Sequence, residues 1–180
     1  VIAGQIVNRE GRASLPVEGG FVRAEGDLLH IAVVERHRGA RSVGRAFVRG
    51  FGPLEGAVAS SVAHDHHNVV VAGSDPGDML TAVRRLAQIG GGFVAVSGGS
   101  VLGELRLPLA GLLSLDPVEE VASSLRRLRD AVRGMGCALE KPFMQLSFVT
   151  LPTVPELGLT NRGLVDARRF EIVDPVVEFR

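Results

Sequence analysis

The hydrophobic positions in the first 75 residues fall into short runs that are typical of strands. Residues 28–35 form a β-branched run, and residues 43–48 alternate small or apolar side chains with polar ones. Two further apolar runs, 57–62 and 69–73, have the character of buried strands. Glycines between these runs mark turns, so this part of the chain predicts at least four strands.

A first helix is predicted to follow residue 75. Asp75 can accept hydrogen bonds as the N-cap, Pro76 suits the first turn, and Asp78 places negative charge near the positive end of the helix dipole. The three glycines at 90–92 end the helix. Its apolar stripe has helical spacing and consists of Met79, Val83, Leu86 and Ala87.

A second helix is predicted between residues 117 and 134. Asp116 is its expected cap, Pro117 its first residue, and Glu119 the partner in an arrangement like a capping box. Gly134 and Gly136 end it. Apolar side chains recur at steps of three and four residues, at Val118, Val121, Ala122, Leu125, Leu128, Val132 and Met135.

The remaining pattern predicts a hairpin and one more strand. Residues 93–105 form two apolar runs around a turn at 97–100. Residues 143–151 are expected to form a further strand, followed by a segment spaced by Pro152 and Pro155.

This order of elements predicts an α+β fold, with a mixed, mostly antiparallel sheet and two main helices packed on it. Residues 1–20 are interpreted as an N-terminal fringe or linker, and residues 21–180 as one α+β domain. The chain begins with Val1 rather than methionine, which we take as an indication that it is part of a longer protein.

Composition narrows the classes of function. The chain has 20 basic and 20 acidic residues and contains neither Trp nor Tyr, which argues against nucleic-acid binding. No apolar stretch approaches the ~20 residues of a membrane-spanning helix, so no membrane partner is expected. The single cysteine, Cys137, excludes an internal disulfide framework and favours a reducing compartment, hence a cytoplasmic location.

Three of the five histidines lie within four positions, in the string His64, Asp65, His66, His67 and Asn68. Imidazole and carboxylate groups at the end of a strand suit metal ligation, proton transfer or hydrogen bonding to a purine. On an extended backbone His64 and His66 would share one face. The alternative is a solvated turn. His64 and His66 are only weak candidates for metal ligands, because the remaining histidines, at positions 30 and 37, lie in unrelated contexts.

Two other patterns allow a structural as well as a functional interpretation. A cluster of basic residues between positions 36 and 49 is best explained as a solvated strand face or a surface for another domain, rather than as a phosphate site. Phe143 and Met144 are either core residues or an apolar rim against a planar ligand or a partner domain. The basic cluster comprises Arg36, His37, Arg38, Arg41, Arg45 and Arg49.

Three stretches, residues 60–69, 78–112 and 142–166, together resemble the C-terminal domain of bacterial adenine deaminase, a member of the amidohydrolase superfamily. The resemblance covers most of residues 31–170, in the same order and with similar gaps. His66 stands where that family typically has Ser, and Asn161 replaces an Asp.

The resemblance implies a role in purine salvage, where the family hydrolyses adenine to hypoxanthine and ammonia. It places a divalent metal, Mn²⁺ or Fe²⁺/Zn²⁺, on a (β/α)₈ barrel that precedes this domain and none on this chain. The implied partners are that N-terminal amidohydrolase barrel, adenine, and further copies in a homo-oligomer. The alternative is a stand-alone small-molecule or protein-binding module of the same fold without catalysis.

The same resemblance names the candidate site residues. The string at 64–68 is expected to face the mouth of the barrel and to help close the purine pocket, or to serve only as an interdomain contact. No residue of this chain is assigned a catalytic role. The candidates for the substrate pocket or the domain interface are His64, Asp65, His67, Asn68, Phe143 and Met144.

The resemblance predicts that the isolated chain is inactive. The purified chain, supplied with Mn²⁺ or Fe²⁺, is expected to release no ammonia from adenine, because the metal ligands of the family belong to the barrel. A coupled ammonia assay measures this, and turnover by the chain alone would contradict it.

Overall fold

The computed structural model describes residues 1–154 and 156–178. The strands are β1 (Val17–Glu18), β2 (Phe21–Val22), β3 (Leu29–Val34), β4 (Val43–Val48), β5 (Ala57–Ser60), β6 (Val69–Gly73), β7 (Gly92–Ser97), β8 (Ser100–Arg106), β9 (Leu157–Thr160), β10 (Gly163–Asp166) and β11 (Glu171–Val173). The helices are α1 (Pro76–Ile89), α2 (Val118–Gly134) and α3 (Pro142–Phe148).

The main sheet has six strands in the order β4-β3-β6-β5-β7-β8, and all of its pairings are antiparallel. The expected α+β fold with a mostly antiparallel sheet is therefore confirmed. The central strands β5 and β6 are buried at every position, because helices cover both faces of the sheet. Helix α1 packs on one face against β5, β6 and β7, while α2 and α3 pack on the other.

Helix α1 begins and ends as its sequence predicts. The Asp75 side chain accepts a hydrogen bond from the Asp78 N–H at 2.8 Å. Gly90 closes the helix with φ +79°, and its N–H donates to the Leu86 carbonyl. The buried Asp78 carboxylate also accepts from the N–H groups of Gly98 and Gly99, so it links the start of α1 to the β7–β8 turn.

The predicted cap of α2 is wrong. Pro117 occupies the N-cap position, and no side chain there accepts a hydrogen bond from the first turn. The Asp116 carboxylate instead accepts from the Ser114 hydroxyl at 3.0 Å, which removes it from the helix end. Most of the stripe on α2 faces the sheet, with Leu128 and Val132 deepest in the core, but Val118 at its start is exposed.

The strand predicted for residues 143–151 is also wrong, because this segment forms α3. Pro142 lies in the first turn of the helix, where its fixed φ and missing N–H are tolerated. A short apolar run fits a buried helix as well as a buried strand, so its periodicity did not decide between them. The nearby Pro155 lies outside the described residues.

A second sheet and the N-terminal segment complete the fold. Strands β9, β10 and β11 form a three-stranded antiparallel sheet beside β4. The N-terminal segment lies along α3, where the Gln145 Nε2 donates to the carbonyls of Ile2 and Gln5 at 3.3 and 3.1 Å. Residue 20, the suggested edge of the linker, falls in the turn between β1 and β2. No helix formed by residues 1–154 and 156–178 has the length and apolar character needed to cross a membrane.

The packing of α2 gives a stability prediction. Leu128→Ala is expected to lower the free energy of unfolding by about 2–5 kcal/mol, because the side chain is 1% exposed and its removal leaves a cavity. Leu115→Ala, at a position 77% exposed, is the matched control and is expected to change it by less than ~0.5 kcal/mol. Urea unfolding followed by circular dichroism measures both. Equal effects would mean that α2 does not pack as described.

Candidate functional site

The histidine bend, residues 63–68, connects β5 to β6. It is a compact turn and not an extended segment, with the His67 N–H donating to the Ala63 carbonyl at 2.6 Å. The extended backbone on which His64 and His66 would share one face is therefore absent. The rings of His64 and His67 approach each other instead, with centroids 6.1 Å apart.

Ser147 on α3 holds His64 in place. The Ser147 Oγ accepts a hydrogen bond from the His64 backbone N–H at 3.2 Å, and the same oxygen is hydrogen-bonded to His64 Nδ1. The buried Ser147 hydroxyl has no other acceptor within the described residues, so its hydrogen is assigned to His64 Nδ1. The neutral His64 ring therefore carries its hydrogen on Nε2, which makes no hydrogen bond within the described residues.

Backbone amides impose the same tautomer on the other two rings of the bend. The Asn68 N–H donates to His66 Nδ1 at 3.0 Å, and the Ala63 N–H donates to His67 Nδ1 at 3.3 Å. With Nδ1 occupied as an acceptor, each neutral ring has an N–H at Nε2. Each of the three rings therefore carries an Nε2–H, but that of His66 is buried and has no hydrogen-bond partner within the described residues.

This arrangement does not fit a metal site. A neutral imidazole binds a metal through a free nitrogen lone pair, and in ligating histidines the other nitrogen usually donates a hydrogen bond. Here the lone pair of each Nδ1 already accepts a hydrogen bond. Within residues 1–154 and 156–178, no group of three or more His, Cys, Asp or Glu side chains is placed to hold a metal ion.

Burial keeps two of these rings neutral. Desolvation lowers the pKa of His66, as do the charges of His67 and His37, while the Thr150 backbone and the Asp65 carboxylate oppose this change. The pKa of His67 is lowered by burial and by His64, Arg36 and His37, with Asp65 again opposing. Both side chains therefore act as neutral donors near pH 7.

Arg36 and His37 belong to this site, although the sequence assigned them to a solvated face. Arg36 Nε donates to the His67 carbonyl at 2.5 Å, and another nitrogen of its guanidinium donates to the Ala110 carbonyl at 2.9 Å. His37 Nε2 donates to the His66 carbonyl at 2.8 Å. The two side chains fix the backbone of the bend from the end of β3.

Asn68 connects the bend to the second sheet. Its buried side chain accepts from the Arg36 N–H at 3.3 Å and donates to Asn161 Oδ1 at 3.2 Å. Asn161 in turn donates to the Ser42 hydroxyl at 2.7 Å. An amide at position 161 offers both a donor and an acceptor, which explains how Asn serves here without the charge of an Asp.

An apolar groove of about 330 Å³ lies beside the bend, between α2 and α3. Phe143 is buried at its base, where its ring stacks on Phe93 with centroids 4.7 Å apart and planes 24° apart. Met144 is 52% exposed. The residues that line this α2–α3 groove are Val62, His64, Phe93, Leu125, Arg129, Lys141, Pro142, Phe143, Met144 and Ser147.

The site residues predicted from the sequence therefore lie in different environments in the folded chain. His64 lines the groove together with Phe143 and Met144, and His67 lies next to His64. Asn68 is buried in the network below the bend, whereas Asp65 is exposed.

Several residues of the site escaped the sequence interpretation, and three of them matter most for the geometry. Ser147, Leu125 and Arg129 all line the groove, and Ser147 also orients His64. Residues 143, 144 and 147 share one region of the surface only because α3 is a helix. The assignment of this segment as a strand concealed that spacing, and Pro142 in the first turn was the available signal.

The lowered pKa of His66 predicts a dependence of stability on pH. Below the ordinary histidine pKa of ~6.5 the unfolded chain binds a proton that folded His66 resists, so stability is full above that pH and falls as pH decreases through it. His66→Ser is expected to reduce the loss of unfolding free energy between about pH 7.5 and pH 5.5, while His30 and His67 maintain part of it. Urea midpoints at both pH values measure this, and identical losses in the two proteins would contradict it.

Comparison with known proteins identifies a family for the whole described fold. A family model described as "Adenine deaminase C-terminal domain" matches residues 5–171. Among curated relatives, the chain is 50% identical over 176 residues to the adenine deaminase of Moorella thermoacetica, covering 97% of the chain and 30% of that protein.

Two more relatives give the same result. The adenine deaminase of Dehalococcoides mccartyi (strain CBDB1) is 46% identical over 175 residues, which cover 96% of this chain and 31% of that protein. That of Cereibacter sphaeroides (strain ATCC 17025) is 54% identical over 149 residues, covering 82% and 26%. The chain thus spans about three tenths of the length of these relatives. It belongs to the family of adenine deaminase C-terminal domains.

Proposed function

We propose that this chain is the auxiliary C-terminal domain of an enzyme that hydrolyses adenine to hypoxanthine and ammonia in purine salvage. The rest of that enzyme would be an amidohydrolase barrel carrying the divalent metal, Mn²⁺, Fe²⁺ or Zn²⁺. Two facts support this proposal: the relatives are adenine deaminases, and the chain spans only about three tenths of their length.

One observation of the site carries the proposal: the bend offers the ordered Nε2–H donor of His64 beside an apolar groove, and the three rings of the bend are not arranged as metal ligands. Donors of this kind can bind and orient a heteroaromatic base, whereas activation of the attacking water is the chemistry that a barrel metal would supply when bound. In this chain, His64 contacts the base or the group that contacts it, and α3 helps to exclude water from the pocket.

The surface next to the bend is suited to cover by another domain. The loop after β8 exposes Leu109, Leu113 and Leu115, and Val118 continues this apolar surface at the start of α2. The loop is fixed against the bend, because the Ser61 hydroxyl donates to the Gly111 carbonyl at 2.6 Å. Docking of the barrel over these side chains would place the histidine bend at its mouth.

Two finer parts of the proposal concern location and assembly. The free thiol of Cys137 is buried, which agrees with a reducing compartment and hence with the cytoplasm. Self-association into a homo-oligomer stays a prediction.

The second candidate function is a stand-alone binding module without catalysis. The apolar groove beside the bend favours it, because its volume of about 330 Å³ falls in the range of small-molecule sites. The two functions differ in whether the chain supports deamination when joined to a barrel.

A chimeric enzyme tests the leading proposal. This chain replaces the matching C-terminal part of Moorella thermoacetica adenine deaminase, and the chimera is expected to release ammonia from adenine. His64→Ala and Asp65→Ala are each expected to lower kcat/KM by at least ~10-fold, about 1.4 kcal/mol of transition-state stabilisation, because both side chains would face the pocket.

Asp130→Ala is the matched control, because this carboxylate lies on the exposed face of α2 and pairs only with Arg133 within the described residues. It is expected to leave kcat/KM unchanged. A chimera that folds but never deaminates adenine would contradict the proposal. Unchanged kinetics in both bend variants would leave the bend a purely structural role.

A further inference from the structure

We propose that the α2–α3 groove of this chain is itself a binding site for a purine base, occupied without help from another domain. The inference rests on the proposed function for the choice of adenine as the ligand. It adds a defined location, a set of contacts and a binding activity for the chain alone.

The shape of the groove suits a flat ring. Its base is the stacked pair of Phe93 and Phe143, and Leu125 of α2 supplies an aliphatic wall. Met144 is half-exposed on α3, and its flexible thioether can close over a ring and contact it favourably. A volume of about 330 Å³ lies at the lower end of the range for small-molecule sites, about 300–1,000 Å³.

The polar groups that line the groove are all donors toward a ligand. His64 presents an Nε2–H, because Ser147 occupies its Nδ1. The Nε of Arg129 is buried and has no hydrogen-bond partner within the described residues, and Lys141 adds an ammonium group. No carboxylate lines the groove. Glu140 is nearby, with an oxygen 3.8 Å from Arg129, but it is 79% exposed.

These donors determine which class of ligand the groove can bind. Adenine is a planar base whose ring nitrogens N1, N3 and N7 are acceptors, so it can accept a hydrogen bond from the Nε2–H of His64. Metal cations and amines bring no acceptor and would be repelled by Arg129 and Lys141.

A fluorescence titration of the chain tests the site. The chain has no Trp or Tyr, so 2-aminopurine, which keeps the ring acceptors of adenine, can be excited without protein background. Stacking on the aromatic base of the groove is expected to quench the probe in a saturable manner, and unlabelled adenine is expected to reverse the quenching. Absence of saturable quenching and of any competition by adenine would overturn the inference.

Variants locate the ligand. Met144→Asp and Leu125→Asp are expected to weaken adenine binding at least ~10-fold, because each places a carboxylate in the groove. Leu102→Asp, at a half-exposed position on β8, is the matched control and is expected to bind as the wild type does. Circular dichroism establishes that each variant is folded. If folded Met144→Asp and Leu125→Asp bind adenine as tightly as Leu102→Asp, the groove is not the site.

A pair of variants tests the donor of His64. His64→Gln keeps an N–H near the position of Nε2, whereas His64→Phe keeps a ring and loses the donor. Adenine is expected to bind His64→Gln within ~3-fold of the wild type and His64→Phe ~10-fold more weakly. Equal affinity of these two variants would overturn the assigned contact.

The failure of this inference is distinguishable from that of the proposed function. A chain that binds no purine while its chimera deaminates adenine overturns only the groove site. A chain that binds adenine in the groove while its folded chimera is inactive supports the groove site and contradicts the proposed function.

Discussion

The histidine bend depends on the burial of the two strands that it connects. Strands β5 and β6 lie at the centre of the six-stranded sheet and are covered on both faces, so their ends cannot shift without disrupting the core. The eight residues between these fixed ends, 61–68, have few conformations available. Side-chain and backbone hydrogen bonds then stabilise one of these conformations, which fixes the positions of the imidazole rings.

Hydrogen bonds from separate elements of the fold hold the polar groups of the bend in defined positions. Arg36 and His37 reach the bend from β3, Ser147 reaches it from α3, and Asn161 from the second sheet. Each contributes to the position of a backbone group or to the tautomer of a ring. Helix α3 also bounds the neighbouring groove, so it holds the orientation of His64 and one apolar wall together.

Much of this fold could be predicted from the sequence, and the exceptions have physical causes. The strands around Val33 and Val70 and the hairpin at Gly98 follow from local pattern and turn chemistry, and Asp75 identifies the start of α1 correctly. Helix α3 was mistaken for a strand, because seven residues contain too few turns for a helical period to emerge.

The site was less predictable, because its partners are remote in sequence. The string at 64–68 stands out by composition, but Ser147 lies 83 positions from His64 and Arg36 lies 31 from His67. Long-range hydrogen bonds of this kind leave no local signal. The tautomer of His64 depends on such a bond, those of His66 and His67 depend on the local shape of the bend, and all three could be assigned only from the folded chain.

The origin of the three donors has an evolutionary consequence. His66 and His67 are oriented by peptide N–H groups, which most substitutions of the neighbouring residues would preserve. His64 is oriented by a side-chain hydroxyl, which one nucleotide change can eliminate. Selection that maintains the orientation of His64 must therefore act on two distant codons together, and in diverging descendants of this gene positions 64 and 147 should change in concert.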